Sequence, residues 1–300
     1  MSINLFINRF LGIILLAAAL LGLFINLPEM DISLIIILAL GTVIFSAFFK
    51  VDLSPAIFVE DIKPIMLFFV LRYLLLPVAV YFLFVGISSF YATAFLLLLL
   101  LPTAVSSPAF TILFGGNIKL SLKLLVITSF LSILSIPAIS QLIISQKVAI
   151  DGIDLLMMMV YTIVYPFLLH LPFRANHTFR KMINNNGPLI TTIGLSIIFI
   201  VSTSHNREII LGNPEKMLIY AIIAVGFYLA SYVIGFYLLP RQSLSNRTAF
   251  SICSGANNIG LGVTLTALFF SGDTNIFFII SQLAWIFILI PLRYFFAKSH

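Results

Sequence analysis

The feature that most constrains this chain is a series of apolar stretches, each near the length of a membrane-spanning helix. A helix needs about 20 apolar residues to cross the hydrocarbon core of a bilayer. Hydrophobic residues make up 61% of the 300 residues and charged residues 9%, whereas a soluble domain carries roughly 25% charged residues. We predict an all-α membrane protein with ten transmembrane helices, at 11–26, 32–49, 64–86, 91–115, 119–145, 154–173, 187–204, 217–240, 247–270 and 275–297.

Polar separators and basic residues predict the topology. Loops are predicted at polar segments such as 28–31, 184–187 and 204–207. Cytoplasmic loops carry an excess of Lys and Arg, and the bias favours a multi-pass protein of the cell (inner) membrane with both termini cytoplasmic. The inside residues would be Arg9, Lys50, Lys63, Lys119, Lys123, Arg174, Arg180, Lys181, Arg241, Arg247, Arg293 and Lys298, and the outside residues Lys147, Arg207 and Lys216.

Charge and residue content argue against several other classes of protein. The net charge of +6 comes without any basic stretch interleaved with aromatic residues, so no nucleic-acid partner is expected. One cysteine excludes an internal disulfide and argues against a metal cluster. The ten carboxylates fall at span ends or in loops, so the spans lack paired catalytic groups. We expect no enzymatic activity, no cofactor and no obligate protein partner beyond membrane lipid.

Ten spans divide into two sets of five, 1–150 and 151–300. An odd number of spans in each half inverts the second half relative to the first, and inverted repeats are a common transporter architecture. In such proteins the binding site lies where discontinuous helices meet near the middle of the membrane. The fourth and ninth spans occupy matching positions in the two halves and are therefore the spans to inspect.

Both of these spans carry residues that interrupt helices. The fourth contains Pro102, Ser106, Ser107 and Pro108, and a proline disfavours helix at the residue before it. The ninth contains three glycines and two asparagines within 253–262. Such residues also allow close helix contacts, but their presence at matching positions favours a site. Carbonyls freed at a break can hold cations, and half-helix N-termini can hold anions.

Three segments resemble the bile acid:sodium symporter family. Residues 102–129 resemble its fourth span and the following helix, with the family pattern Pro-Gly-Gly-x-x-Ser-Asn and then Lys-Gly-Asp-x-x-Leu-Ser. Residues 71–77 resemble its third span, with Gln-x-x-x-x-Pro, and residues 247–262 its ninth, with Arg-Thr and then Glu-x-Gly-x-Gln-Asn-x-x-Leu. The resemblance implies a core domain with crossed discontinuous helices 4 and 9, and a panel domain of helices 1, 2, 6 and 7.

The same resemblance implies transport of an organic anion, such as a bile acid, pantoate or a keto acid, usually with sodium. The substrate would lie in the crevice between panel and core. The family's sodium ligands in spans 4 and 5 fall on Ser107 and Ser121, which are kept, and on Pro108 and Leu125, where the ligands are lost.

The departures continue in spans 9 and 3. The family glutamate falls on Cys253, its glutamine on Asn257, the next asparagine is kept as Asn258, and the span 3 glutamine falls on Arg72. The candidate substrate- and ion-binding residues are therefore Arg72, Ser106, Ser107, Pro108, Ser121, Cys253, Ser254, Asn257 and Asn258.

Arg72 is the most informative of these candidates. A guanidinium is always charged, and two neighbouring cations without a carboxylate repel each other strongly at low dielectric. Our hypothesis is that Arg72 replaces one bound sodium, so that sodium coupling is weakened or absent. The alternatives are a substrate-anion anchor, a structural contact to broken-helix carbonyls or snorkelling, and a weak sodium site at Ser107, Ser121 and Asn257.

The predicted function is secondary active transport of a small organic anion by alternating access. One alternative is an efflux carrier of the related arsenite or auxin-carrier type, although the arsenite branch depends on a span 4 cysteine that 106–108 lacks. Another alternative is a non-transporting membrane sensor, which would leave two broken helices unexplained.

Overall fold

The apolar stretches of the sequence are helical. The computed structural model describes residues 3–27, 31–49, 62–144, 151–270 and 272–297, and no named strand occurs within them. Lys50, Lys147 and Lys298, which enter the predicted charge bias, lie outside these residues. The helices are α1 (Ile3–Phe24), α2 (Ser33–Phe48), α3 (Ile62–Phe84), α4 (Ser89–Leu100), α5 (Ser107–Leu113), α6 (Ile118–Ile143), α7 (Gly152–Arg174), α8 (His177–His205), α9 (Arg207–Gly212), α10 (Pro214–Tyr237), α11 (Leu244–Gly255), α12 (Ile259–Phe269) and α13 (Gly272–Ala297).

Five helices in the described part of the chain are long and apolar enough to cross a bilayer: α3, α6, α7, α8 and α10. Shorter apolar helices accompany them, including α2, α4 and α12. Large apolar side chains lie on the outer surface, with Phe24, Ile87 and Leu142 all more than three-quarters exposed. Such a surface suits lipid and not water, because a soluble monomer rarely exposes large contiguous apolar areas.

The loop predicted at 184–187 was wrong, because these residues lie inside the 29-residue helix α8. Asn176 caps the start of α8 by accepting a hydrogen bond from the N–H of Phe179 at 3.0 Å. Within the asparagine run, Asn186 Nδ2 donates to the Met182 carbonyl at 2.9 Å, so the amide bonds its own helix. Polar composition therefore marks an exposed stretch of helix here and not its end.

Two helical segments are interrupted, as the sequence predicts. Residues 101–106 separate α4 from α5, and residues 256–258 separate α11 from α12. A left-handed glycine ends α5: Gly115 has φ 72° and donates to the Ile112 carbonyl, while Gly116 donates to the Thr111 carbonyl. This pair of bonds is the Schellman arrangement, which satisfies carbonyls left free at a helix C-terminus.

The helices associate in two groups. In one, α1 and α2 each contact α8, and α7 contacts both α2 and α8. In the other, α10 contacts α11 and α13, α3 contacts α4, and α6 contacts α5 and α11. The groups meet where α12 lies against α2 and α8, and where α6 lies against α7. Both helix breaks lie in the second group.

Close contact between α10 and α11 depends on glycine. A Cβ atom on Gly255 would lie 2.4 Å from ring atoms of Tyr232, whereas one on Gly226 would meet nothing within 4 Å. We expect Gly255→Ala to reduce the free energy of unfolding by about 1–3 kcal/mol, because overfilling a close contact displaces the ring. Gly226→Ala is the matched control on α10. Equal melting temperatures for the two variants in detergent would contradict this account.

Candidate functional site

The two helix breaks lie against each other and form hydrogen bonds. The Ala104 N–H donates to the Ala256 carbonyl and the Asn258 N–H donates to the Pro102 carbonyl, both at 2.8 Å. Thr103 thereby faces Asn257 in an isolated antiparallel bridge. Inside a membrane each freed backbone group must find a partner within the protein. The bridge, which we call the crossing, satisfies groups from both breaks at once.

Arg72 supplies a positive charge at the crossing. Its Nη1 donates to the Leu99 carbonyl at 2.8 Å and its Nη2 to the Ser254 carbonyl at 2.6 Å. Its Nε donates to Ser254 Oγ at 2.6 Å, and Nη2 lies 3.5 Å from Asn257 Oδ1. Leu99 and Ser254 belong to the last turns of α4 and α11, so the guanidinium binds the negative ends of two half-helices.

The Arg72 side chain is completely buried, with 0% of its surface exposed. None of the hydrogen-bond partners that the described residues give Arg72 is a carboxylate. An intramembrane Arg is costly unless protein groups compensate it. Here the compensation comes from carbonyl, hydroxyl and amide oxygens and from the Tyr73 ring, whose centroid lies 5.0 Å from the guanidinium carbon.

A local widening of α3 accompanies this placement. The segment Val70–Leu75 forms a π-helical turn, and Pro77 follows two residues later. Proline has no N–H to bond the carbonyl four residues earlier, that of Tyr73. A π-turn frequently marks a functional position in an α-helix. In this turn Arg72 and Tyr73 are both buried although they are adjacent in sequence.

Hydroxyl groups outside the predicted set of site residues complete the crossing. Tyr73 Oη lies 2.8 Å from Thr103 Oγ1 and donates to the Cys253 carbonyl at 2.9 Å. Thr103 Oγ1 also lies 3.2 Å from that carbonyl, and the Thr103 N–H donates to Thr128 Oγ1. Two features of the sequence could have indicated these hydroxyls: Tyr73 follows an arginine within a span, and Thr103 lies between Pro102 and Pro108. Hydroxyls in apolar spans are otherwise too common to identify a partner.

Ser121 and Cys253 form a second, neutral cluster beside the crossing. Ser121 Oγ lies 3.2 Å from Cys253 Sγ and accepts a hydrogen bond from Thr111 Oγ1 at 3.1 Å. Ser107 Oγ is directed elsewhere, to the Ala256 carbonyl at 3.4 Å. Within the described residues, no three His, Cys, Asp or Glu side chains are grouped so that they could hold a metal ion. The cluster offers hydroxyls and a thiol to a cation, and no carboxylate.

The remaining candidates lie at the ends of the breaks. Asn257 donates through Nδ2 to the Leu98 carbonyl at 2.7 Å, so it belongs with Arg72 and not with Ser121. Asn258 caps α12, with Oδ1 accepting from the Leu261 N–H at 3.3 Å. Ser106 precedes α5 without a side-chain cap bond, and Pro108 is buried in the first turn of α5.

A narrow crevice runs from the crossing between the two helix groups. The volume of the crevice that water centres can occupy is about 30 Å³, which is enough for one or a few water molecules. Its walls are mostly aliphatic, with Asn258 and Ser129 as the polar members. The lining residues are Ile44, Ala47, Phe48 and Ile163 from the first group and Val105, Leu125, Val126, Ser129 and Asn258 from the second.

A sequence profile of the Sodium Bile acid symporter family matches residues 37–213, more than half of the chain. The chain belongs to this family. Family membership and the several apolar helices together indicate a multi-pass membrane transporter. No curated protein sequence matches the chain. The family match includes Arg72 and the first break but ends before the second break, so the assignment of 247–262 to the family's ninth span stays a prediction.

The hydroxyl of Tyr73 provides a test of the crossing. We expect Tyr73→Phe to lower the free energy of unfolding by about 1 kcal/mol, because its bonds to Thr103 and to the Cys253 carbonyl are lost while the ring is kept. Tyr161→Phe, at a side chain that is 52% exposed, is the matched control. Thermal denaturation in detergent measures both, and the account fails if the two variants melt together.

Proposed function

We propose that this protein is a secondary transporter of a small organic anion, working by alternating access, in which Arg72 permanently replaces one coupling cation. The observation that carries the proposal is the guanidinium at the crossing. It binds carbonyls from the last turns of α4 and α11, a polar cage of the kind that would otherwise suit a small cation. Membership in a transporter family supports transport over an enzymatic role.

The architecture we propose has ten spans in two inverted five-helix repeats, 1–150 and 151–300. The fourth span comprises α4 and α5, and the ninth comprises α11 and α12. A panel of α1, α2, α7 and α8 would stand against a core made of the other spans. The contacts within each helix group support this division, as do the matching positions of the breaks. We further propose an inner-membrane location with both termini cytoplasmic, from the bias in Lys and Arg.

The crevice is the proposed substrate site. It touches Asn258 at the N-terminus of the 11-residue helix α12, the end of a helix that carries a partial positive charge. Arg72 does not line the crevice, but its full positive charge lies 3.5 Å from Oδ1 of Asn257, the residue before Asn258. An anionic head with an apolar body fits this combination, because the other walls are mostly aliphatic. The crevice must widen to admit such a molecule.

Sodium is absent from the proposed cycle. A second cation close to Arg72 would be repelled, and in the predicted assignment of 247–262 to the family's ninth span Cys253 replaces the carboxylate. The buried guanidinium donates its described hydrogen bonds to protein oxygens, which favours the role of internal cation over that of direct substrate anchor. A weak sodium site at Ser107, Ser121 and Asn257 is the competing proposal, and the experiment below distinguishes the two.

Thermal stability in detergent tests this proposal. Pantoate, pyruvate, 2-oxoisovalerate and taurocholate would be added as choline salts, each with choline chloride or with sodium chloride. We expect at least one anion to stabilise the wild type equally in both salts, by about 2.7 kcal/mol at a hundred times its Kd. In Arg72→Gln the stabilisation should shrink in choline and recover with sodium, because sodium refills the vacated oxygen cage.

Arg72→Lys is the control that keeps the positive charge but loses the several directed N–H donors of the guanidinium. The thermal stability of this variant should not respond to sodium. Stabilisation of the wild type by sodium chloride alone would contradict the internal-cation assignment. A lack of response to all four anions would contradict the proposed substrate class.

A further inference from the structure

The charge at the crossing has a simple balance. Each break joins the C-terminus of one half-helix to the N-terminus of the next, and their partial charges of about −0.5 and +0.5 cancel to a first approximation. Among the described residues that bond to the crossing, Arg72 is the charged one. Counted over these described residues, the crossing has a net charge close to +1, and that charge is covalently attached to α3.

A tethered cation differs from a bound ion in one respect: it cannot leave. In a carrier that couples a dissociable cation to an anion, the carrier with cation alone must not reorient, since that movement would dissipate the cation gradient. A carrier whose cation is covalently attached is in the cation-only state, the one that must not reorient, whenever no anion is bound. Reorientation would then carry a net positive charge past the low-dielectric contact between the helix groups, which is costly even when neutral oxygens solvate that charge.

We infer that this protein is an obligatory anion exchanger: it reorients when an anion neutralises Arg72 and is held in place when the site is empty. One anion must then enter for each anion that leaves, and the gradient of one anion drives the other. This inference rests on the proposed anion transport and adds its mode. The anion is noncovalently bound throughout, so that no bond is made or broken.

Restraint of the empty carrier can be measured without knowing the natural substrate. Ser129 lines the crevice, and Ser129→Cys would introduce a reporter thiol there. The natural Cys253 is the single cysteine of the chain and is 0% exposed, so the parent protein serves as the labelling blank. A membrane-impermeant maleimide would be applied to sealed right-side-out and inside-out vesicles to compare labelling from the two faces. The vesicles would first be washed free of organic anions in choline chloride, a state that we call anion-free.

In the anion-free parent carrying Ser129→Cys, we expect labelling from one face to be slower than from the other by about tenfold or more, which corresponds to a bias of about 1.4 kcal/mol or more. Adding Arg72→Gln should bring the two rates together in choline, because the tethered charge is gone. Sodium chloride should restore the asymmetry in Arg72→Gln and leave the parent unchanged. Arg72→Lys should keep the asymmetry in both salts.

Asn257 allows the charge to be neutralised with Arg72 in place, should Arg72→Gln not fold. Asn257→Asp sets a carboxylate about where Oδ1 lies, 3.5 Å from the guanidinium, and should equalise the two rates. Asn257→Leu loses the same bond to Leu98, and also the oxygen that lies 3.5 Å from the guanidinium, without adding charge; since the tethered charge remains, the asymmetry should persist. Equal rates in Asn257→Leu would show that the amide bond and not the charge restrains the carrier, and would overturn the inference.

Fast labelling of the anion-free parent from both faces would also overturn obligatory exchange, while leaving anion transport intact. Both proposals would be overturned by a different result, namely slow labelling at position 129 from one face in every variant. The same slow labelling would have to persist in the parent given pantoate, pyruvate, 2-oxoisovalerate or taurocholate. The two failures are therefore distinguishable within one experiment.

Discussion

The structure depends on one constraint: a backbone group that leaves a helix inside hydrocarbon must be hydrogen-bonded by the protein itself. Two breaks in one small protein would be costly if each were satisfied separately. Here each break supplies donors and acceptors to the other, through the bonds between Ala104 and Ala256 and between Asn258 and Pro102. The carbonyls of Leu99 and Ser254 lie beside this bridge, and Arg72 binds both. The contacts that satisfy the two breaks therefore also build the site around Arg72.

This arrangement changes the role of charge compared with what the family resemblance implies. A cation in such a cage is stabilised by several oxygen atoms, and a guanidinium provides several directed donors on one side chain. The neighbouring cluster around Ser121 and Cys253 consists of neutral groups that bond one another. The positive charge of the site is consequently part of the covalent chain, and the anion becomes the mobile charge in the proposed cycle.

Much of the helical framework was predictable, because composition and proline or glycine positions act locally. The apolar stretches gave helices, and Pro108, Gly255 and Asn258 marked the breaks. The asparagine run at 184–186 was misread as a loop, because an exposed amide can bond its own helix. Ser254 and Asn257 were among the predicted site residues, and a contact of Arg72 with broken-helix carbonyls was one of the alternatives. The particular bonds could not be predicted, because Ser254 lies 182 residues from Arg72 and neither segment contains a local signal for the other. Tyr73 and Thr103 were missed for the same reason.

That separation also has a consequence for synthesis of the chain. Leu99 follows Arg72 by 27 residues, but Ser254 follows it by 182. At 5–20 residues per second, the ribosome needs roughly 10 to 40 s to produce the second partner. For that interval α3 holds an arginine whose final cage does not yet exist, so the nascent helix must wait at the membrane insertion machinery, in the interface or beside early helices. The last steps of assembly are thus set by the arrival of α11, and a chain truncated before it would leave Arg72 without half of its cage.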